Sequence, residues 1–274
     1  MIRGLLLKSF LESWVTTVLL ACALMGIEAI LAYALPTFLQ QFSPQLLQLE
    51  FFRSIIQALL GTDVGDMLSP DALHAIAWAH PVVLTILWAH AIVFFTRLPA
   101  GEIDRGTIDV FLGLPVSRWR AYACDLAVFL TSGLVVISLG LLGCFLGGLA
   151  VGPENRPRPQ HILLVVVNLY CLYLAVGGLS ALVSSLSENR GRAVALVFGM
   201  LVASFLLNFL AQLWPPAARV AFLSLMNYHQ PLLVLREAGS GIWPLADMTV
   251  LTLTAAFTWT AGGVCFARRD ICTC

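Results

Sequence analysis

Apolar and polar positions along this chain alternate in long blocks. Six stretches, at about 14–35, 75–96, 126–151, 162–186, 193–213 and 248–266, are almost continuously apolar. A helix rising 1.5 Å per residue needs roughly 20 such residues to cross a bilayer core. Each stretch is long enough. Within all six the only carboxylate is Glu28, and there is no Lys or Arg. A transmembrane β-barrel would instead show segments of about ten residues with strict alternation, a pattern these stretches lack. The pattern predicts an all-α integral membrane protein, with residues 1–274 forming a single six-helix domain.

The connections carry the rest of the pattern. Residues 1–12 set Ile2, Leu5, Leu6, Phe10 and Leu11 against Arg3, Lys8 and Glu12, which predicts a helix lying in the membrane interface. Within 44–60, Leu49, Phe52, Ile56 and Leu59 recur at helical spacing and predict a second interfacial helix. Residues 214–247 contain apolar runs too short to cross, at 220–226 and 231–235, and predict a re-entrant or interface-hugging hairpin before the last span. The connections at 152–161 and 187–192 are short.

Composition excludes other classes. Hydrophobic residues make up 59% and charged residues 11%, whereas a soluble domain carries about 25% charged residues to cover its surface. Mean hydropathy is +0.91. Fifteen Lys and Arg balance fifteen Asp and Glu, so no basic face points to nucleic acid. The basic residues are unevenly placed, however. With the N-terminus inside, Arg3, Lys8, Arg97, Arg105, Arg118, Arg120, Arg190, Arg192, Arg268 and Arg269 are cytoplasmic, and Arg53, Arg156, Arg158, Arg219 and Arg236 are outside. The excess inside predicts cytoplasmic N- and C-termini in a multi-pass protein of the plasma (inner) membrane of a bacterium. Ala32-Tyr33-Ala34 has the form of a signal-peptidase site. The 22-residue apolar run before it exceeds the roughly 7–15 residues of a signal core and contains Glu28, so the first span is expected to be retained.

Candidate chemistry is sparse. The seven cysteines avoid the predicted outer loops, so no disulfide framework is implied, and Cys272 with Cys274 is too few ligands for a zinc site. No metal site is expected. His80 and His90 can share a helix face, with Pro81 explaining a local bend. Glu28 is the ionisable residue inside a span, a functional candidate by default. Asn168, Tyr173 and Asn208 could line a polar path with it, or serve as hydrogen-bond partners between helices. Gly143 and Gly147, flanked by Gly140, Cys144 and Gly148, form a small-residue face that lets another helix approach closely, in the same chain or in a second copy.

The connection 97–120 concentrates charge. From Gly101 to Leu114, Ile103, Val110, Phe111 and Leu114 can share one helical face, with Glu102, Asp104, Arg105 and Asp109 on the polar side. Gly113 and Pro115 would end that helix. Such an amphipathic helix between two spans can lie on lipid or dock into a groove on a soluble partner.

The run E-x-x-x-G-T-x-x-x-x-L-x-x-P-V-S-R, here Glu102, Gly106, Thr107, Leu112 and Pro115-Val116-Ser117-Arg118, resembles the first cytoplasmic loop of ABC-2 type transporter permeases. That group includes the nitrous oxide reductase maturation permease and bacterial drug, lipid and polysaccharide exporters. The six-span plan and the terminal Arg268-Arg269-Asp270 are similar to the group as well. The resemblance implies that this loop holds the coupling helix contacting an ABC ATPase subunit through Glu102, Ile103, Asp104, Arg105, Gly106, Thr107, Val110, Phe111, Pro115 and Arg118. Glu188, Arg190 and Arg192 would add a minor contact. It also implies two ATPases and two permeases, as a homo- or heterodimer, working by alternating access and exporting a substrate. This chain has no G-x-x-x-x-G-K-[ST] and so no P-loop; ATP and Mg would be bound by the partner, leaving this chain a non-catalytic subunit without a cofactor of its own. Two other classes are a stand-alone carrier or channel using Glu28 and an intramembrane enzyme. For the latter, H-E-x-x-H and G-x-S-x-G are both missing.

Overall fold

In the computed structural model, which describes residues 2–41, 69–113, 115–239 and 245–270, the regular structure is entirely helical among the described residues. The helix expected within 44–60 (Leu49, Phe52, Ile56, Leu59), Leu114, and the Cys272 and Cys274 pair lie outside those residues. Among the described residues, six helical units are long and apolar enough to cross a membrane.

The first is α1, Ile2–Gln41. The expected interface helix at 1–12 is not a separate element; it is the first turns of the span. One buried stripe explains the continuity. Leu5, Ser9, Ser13, Thr17, Ala21, Leu24, Glu28 and Ala32 are all buried, recurring every three or four residues without interruption. At about 1.5 Å per residue, a helix of this length reaches about 60 Å, roughly twice the hydrocarbon thickness.

The second unit is broken, as Pro81 predicts. α2, Pro70–Trp78, and α3, Pro81–Phe95, are separated by Ala79 and an extended His80. Proline lacks an N–H and disfavours helix in the residue before it. Each half is capped: Ser69 Oγ accepts from Ala72 N at 3.2 Å, and His80 Nδ1 accepts from Val82 N at 3.3 Å. After a π-helical turn, Arg97–Gly101, come two short helices, α4, Glu102–Asp104, and α5, Ile108–Leu112.

Four longer elements and a hairpin complete the bundle. α6 spans Arg118–Leu149, α7 Pro159–Leu186, α8 Arg190–Leu213 and α11 Leu245–Arg268. Between α8 and α11 lie α9, Pro215–Ala218, two 3-10 turns and α10, Pro231–Gly239. This segment lies where a hairpin is expected. It folds back on the bundle, with Leu225 N donating to Ser204 Oγ at 2.9 Å and Asn168 Nδ2 to Tyr228 O at 3.1 Å.

α1 packs most intimately against α6, and glycines allow it. A Cβ on Gly143 would collide with the carbonyl of Met25, and one on Gly147 with that of Ala29. The partner of the small-residue face is therefore a helix of the same chain. Deeper in the bundle, Phe94, Phe95, Phe129 and Tyr173 form an aromatic cluster, with Phe129 and Tyr173 stacked at 4.6 Å between centroids.

Candidate functional site

The start of α1, the 97–118 connection, the α7–α8 junction and the end of α11 gather at one end of the bundle. Arg97 organises it. Its Nη1 donates to Ser9 O at 2.8 Å, and its Nη2 to Ser9 Oγ at 2.9 Å and Asp125 Oδ1 at 3.0 Å. Glu12 Oε2 lies 3.3 Å from Nη1, and the guanidinium carbon sits 4.9 Å from the centre of the Phe94 ring. A desolvated ion pair needs such additional hydrogen bonds to offset the cost of burying charge.

Glu102 is the second anchor. This buried carboxylate meets Lys8 Nζ at 3.2 Å and Arg105 Nη2 at 3.3 Å, and accepts from the Thr107 hydroxyl. Burial pushes its carboxyl up, but Thr107, Lys8 and Arg105 together outweigh burial and hold it below the ordinary carboxylate value. Lys8 also pairs with Glu12 at 2.8 Å, so α1 and the connection share one charge network.

The connection does not form the single helix expected from Gly101 to Leu114. Gly106 adopts φ 67°, a left-handed conformation that glycine enters without penalty, and it turns the chain between α4 and α5. Gly106 N donates to Ile103 O, and Thr107 N to Glu102 O, both at 3.0 Å. The expected common face is consequently split. Ile108, not Val110, is buried, while Ile103 is half-buried and Val110 is 77% exposed. Glu102, expected on the polar side, points inward. α5 stops at Leu112, just ahead of Gly113 and Pro115, and Pro115 is exposed. Phe111 lies within α5.

Further bonds lock this end together. Asp104 Oδ1 accepts from Asn189 Nδ2 at 2.7 Å. Ser184 Oγ donates to Leu98 O and accepts from Ala100 N, each at 3.3 Å. Arg118 Nη1 donates to the Arg269 carbonyl, and Arg269 reaches Ser185 O, Ser187 O and Glu188 Oε1, each at 3.0 Å. Arg192 is exposed. Arg190 packs its Cδ over Gly101 and lines a cavity of about 330 Å³ with Glu12, Thr16, Thr17, His90, Phe94, Arg97 and Arg105.

The model of the ABC-2 family transporter protein matches residues 7–270, nearly the whole chain and all of this geometry. The chain belongs to that family. It is also similar to the uncharacterized membrane protein YdbK of Bacillus subtilis (strain 168), with 26% identity over 200 residues covering 70% of this chain and 80% of that protein. No solved structure matches. Membership identifies the chain as a transmembrane component of a transporter, in a family that typically works with an ABC ATPase.

In this ABC-2 chain no hydrogen bond joins any two of the four path candidates among the described residues. Asn168 is engaged by the hairpin: its amide donates to Tyr228 O, and its Oδ1 meets His229 Nδ1 at 2.7 Å. Since Oδ1 can only accept, His229 carries its proton on Nδ1. Burial pushes that imidazole down to about 4, against the pull of the Trp78 carbonyl. Tyr173 OH meets His90 Nδ1 at 2.8 Å, and His90 Nε2 meets Thr17 Oγ1 at 3.1 Å, a polar relay running from the cavity into the aromatic cluster. His80 is occupied as a cap, so the two histidines do not form a pair. Asn208 is half-buried and Glu28 fully buried, and among the described residues neither Asn208 Oδ1 nor either Glu28 oxygen has a hydrogen-bond partner.

Sequence reasoning missed Arg97, Asp125, Ser9 and Thr17 as site residues. The i, i+4 run of Ser9, Ser13 and Thr17 in an otherwise apolar helix was the available signal.

Proposed function

We propose that this chain is the permease subunit of an ATP-driven exporter and that the end built around Arg97 and Glu102 faces the cytoplasm and docks a separate P-loop ATPase. The observation carrying this reading is α5. Ile108 roots it in the bundle while Val110 stands out at 77% exposure, an apolar contact held on a base braced by Lys8, Arg105 and Thr107. Helix-in-groove docking uses such a projection. The distribution of Lys and Arg supports the cytoplasmic assignment. Two permeases and two ATPases make the transporter, and the ATPases hold ATP and Mg. Closure of the ATPases on ATP pushes the 97–118 segment, and its bonds to α1, α6, α7 and α8 carry that push into the bundle, alternating its access. Nucleotide can drive this only by favouring one bundle state over the other. Glu188 and Arg192 supply a minor contact, whereas Arg190 faces the cavity.

Purification of the tagged protein from its native membrane in mild detergent, followed by mass spectrometry, tests this reading. An ABC ATPase at one copy per permease is expected, and it is lost on Val110→Asp while the bundle stays folded. A chain that emerges alone, under conditions preserving other ABC complexes, would instead favour a stand-alone carrier centred on Glu28.

A further inference from the structure

We propose that the cavity between α1, α3 and α8 binds the phosphate headgroup of an anionic amphiphile. Its role as cargo rests on the transporter reading above; the binding itself does not. Three guanidinium groups, Arg97, Arg105 and Arg190, line this space of about 330 Å³, enough to admit a phosphate and part of its linker. Arginine suits a phosphate because its planar fork matches the anion and stays charged.

The nearby carboxylates leave part of this charge uncompensated. Glu12, which also lines the cavity, is engaged by Lys8 and Arg97; Asp125 by Arg97; and Glu102 by Lys8 and Arg105. Arg190 has neither an ion pair nor a hydrogen bond among the described residues. Arg97 is 8% exposed, and its Nε–H has no acceptor among them either. A buried donor without an acceptor is uncommon enough to call for one. Thr16 and Thr17 add hydroxyls on the α1 wall.

Apolar side chains adjoin the cavity, whose deeper lining also includes His90 and Thr17. Val93 and Phe94 line the cavity beside the arginines. One turn further into the bundle on the same faces come Leu20 on α1, Ala89 on α3 and Val194 on α8, all half-buried. Cationic groups lining the cavity, with apolar side chains in it and beside it, fit a charged head on a hydrocarbon chain better than a free anion. Arg105 also pairs with Glu102, so a ligand that engages Arg105 acts on the carboxylate bracing the docking segment.

Isothermal titration of the full chain in phosphatidylcholine nanodiscs, with dodecyl phosphate as the probe, tests the site. Saturable binding is expected, weakened at least tenfold by Arg190→Gln and largely kept by Arg190→Lys, with Arg219→Gln as an unchanged control. Thermal unfolding of each sample guards against misfolding, and Arg190 suits the test because it holds no partner among the described residues. Equal affinity for zwitterionic dodecylphosphocholine, or an unchanged affinity in Arg190→Gln, overturns the proposal. Inorganic phosphate binding as tightly as dodecyl phosphate assigns the cavity to a free anion and overturns the amphiphile. The two readings fail separately. An ATPase that co-purifies with a chain unable to bind dodecyl phosphate leaves the permease reading standing; binding by a chain that purifies alone leaves the site and removes its role in ATP-driven export.

Discussion

Arg97 and Asp125 meet at 3.0 Å between Nη2 and Oδ1, with both side chains almost wholly removed from the surface. The same guanidinium holds the Ser9 carbonyl and hydroxyl. One side chain thus fastens the first span, the connection after the second and the start of α6 to each other. Any force applied to the connection reaches α1 and α6 through it.

Arg97→Ala should therefore destabilise the bundle by about 3–5 kcal/mol, because it leaves Asp125 as a buried charge without its partner. Asp125→Asn should cost less, since an amide can still accept from Arg97. Thermal unfolding in detergent measures both. An Arg97→Ala protein within about 1 kcal/mol of the wild type would show that water or other groups already satisfy Asp125.

Glu102 ties this network to pH. Its folded value lies below the ordinary 4.5, so the carboxylate contributes stability in full above that value and loses it as pH falls through the lowered one. Glu102→Gln should accordingly melt below the wild type at neutral pH, and the gap should close as the pH falls through that lowered value. A gap that persists unchanged into acid would mean that the ion pairs with Lys8 and Arg105 are not its source.

The six spans were legible because lipid demands long uncharged helices, a constraint written over about 20 residues at a time. The break before Pro81 was legible for an equally local reason. The Glu102 and Arg97 networks were not. Lys8 and Glu102 are 94 residues apart, and Arg97 in sequence is simply one more inner positive charge. The single helix expected across 101–114 failed at Gly106, whose left-handed turn outweighed a periodicity that Ile103 and Val110 satisfied on paper. Glu28 was legible as an anomaly, but whether it bonds to Asn168, Tyr173 or Asn208 depends on which faces α1, α7 and α8 turn to one another.

Two glycines separate packing from propensity. Gly147→Ala should destabilise, because the new methyl meets the Ala29 carbonyl where α1 crosses α6, with backbone on both sides and no flexible side chain to yield. Gly199→Ala meets open space within α8 and should stabilise by about 0.5–1 kcal/mol through helix propensity. Opposite signs in the two melting curves are expected. A neutral Gly147→Ala would show that α1 and α6 do not pack this closely in the membrane.

Glu28 offers the sharpest test of stability against function. It is fully buried on the stripe α1 turns toward the bundle, and neither oxygen has a hydrogen-bond partner among the described residues. A buried polar group left unpaired costs about 1–3 kcal/mol, and methionine fills a similar volume without a polar head. Glu28→Met should therefore raise the melting temperature in detergent. If the carboxylate serves transport, the same variant loses transport as it gains stability, the pattern expected where function retains an unfavourable group. A fall in melting temperature would mean that a water or a second chain satisfies Glu28. A rise with transport intact would remove Glu28 from the path and leave the arginine-lined cavity as the polar feature to pursue.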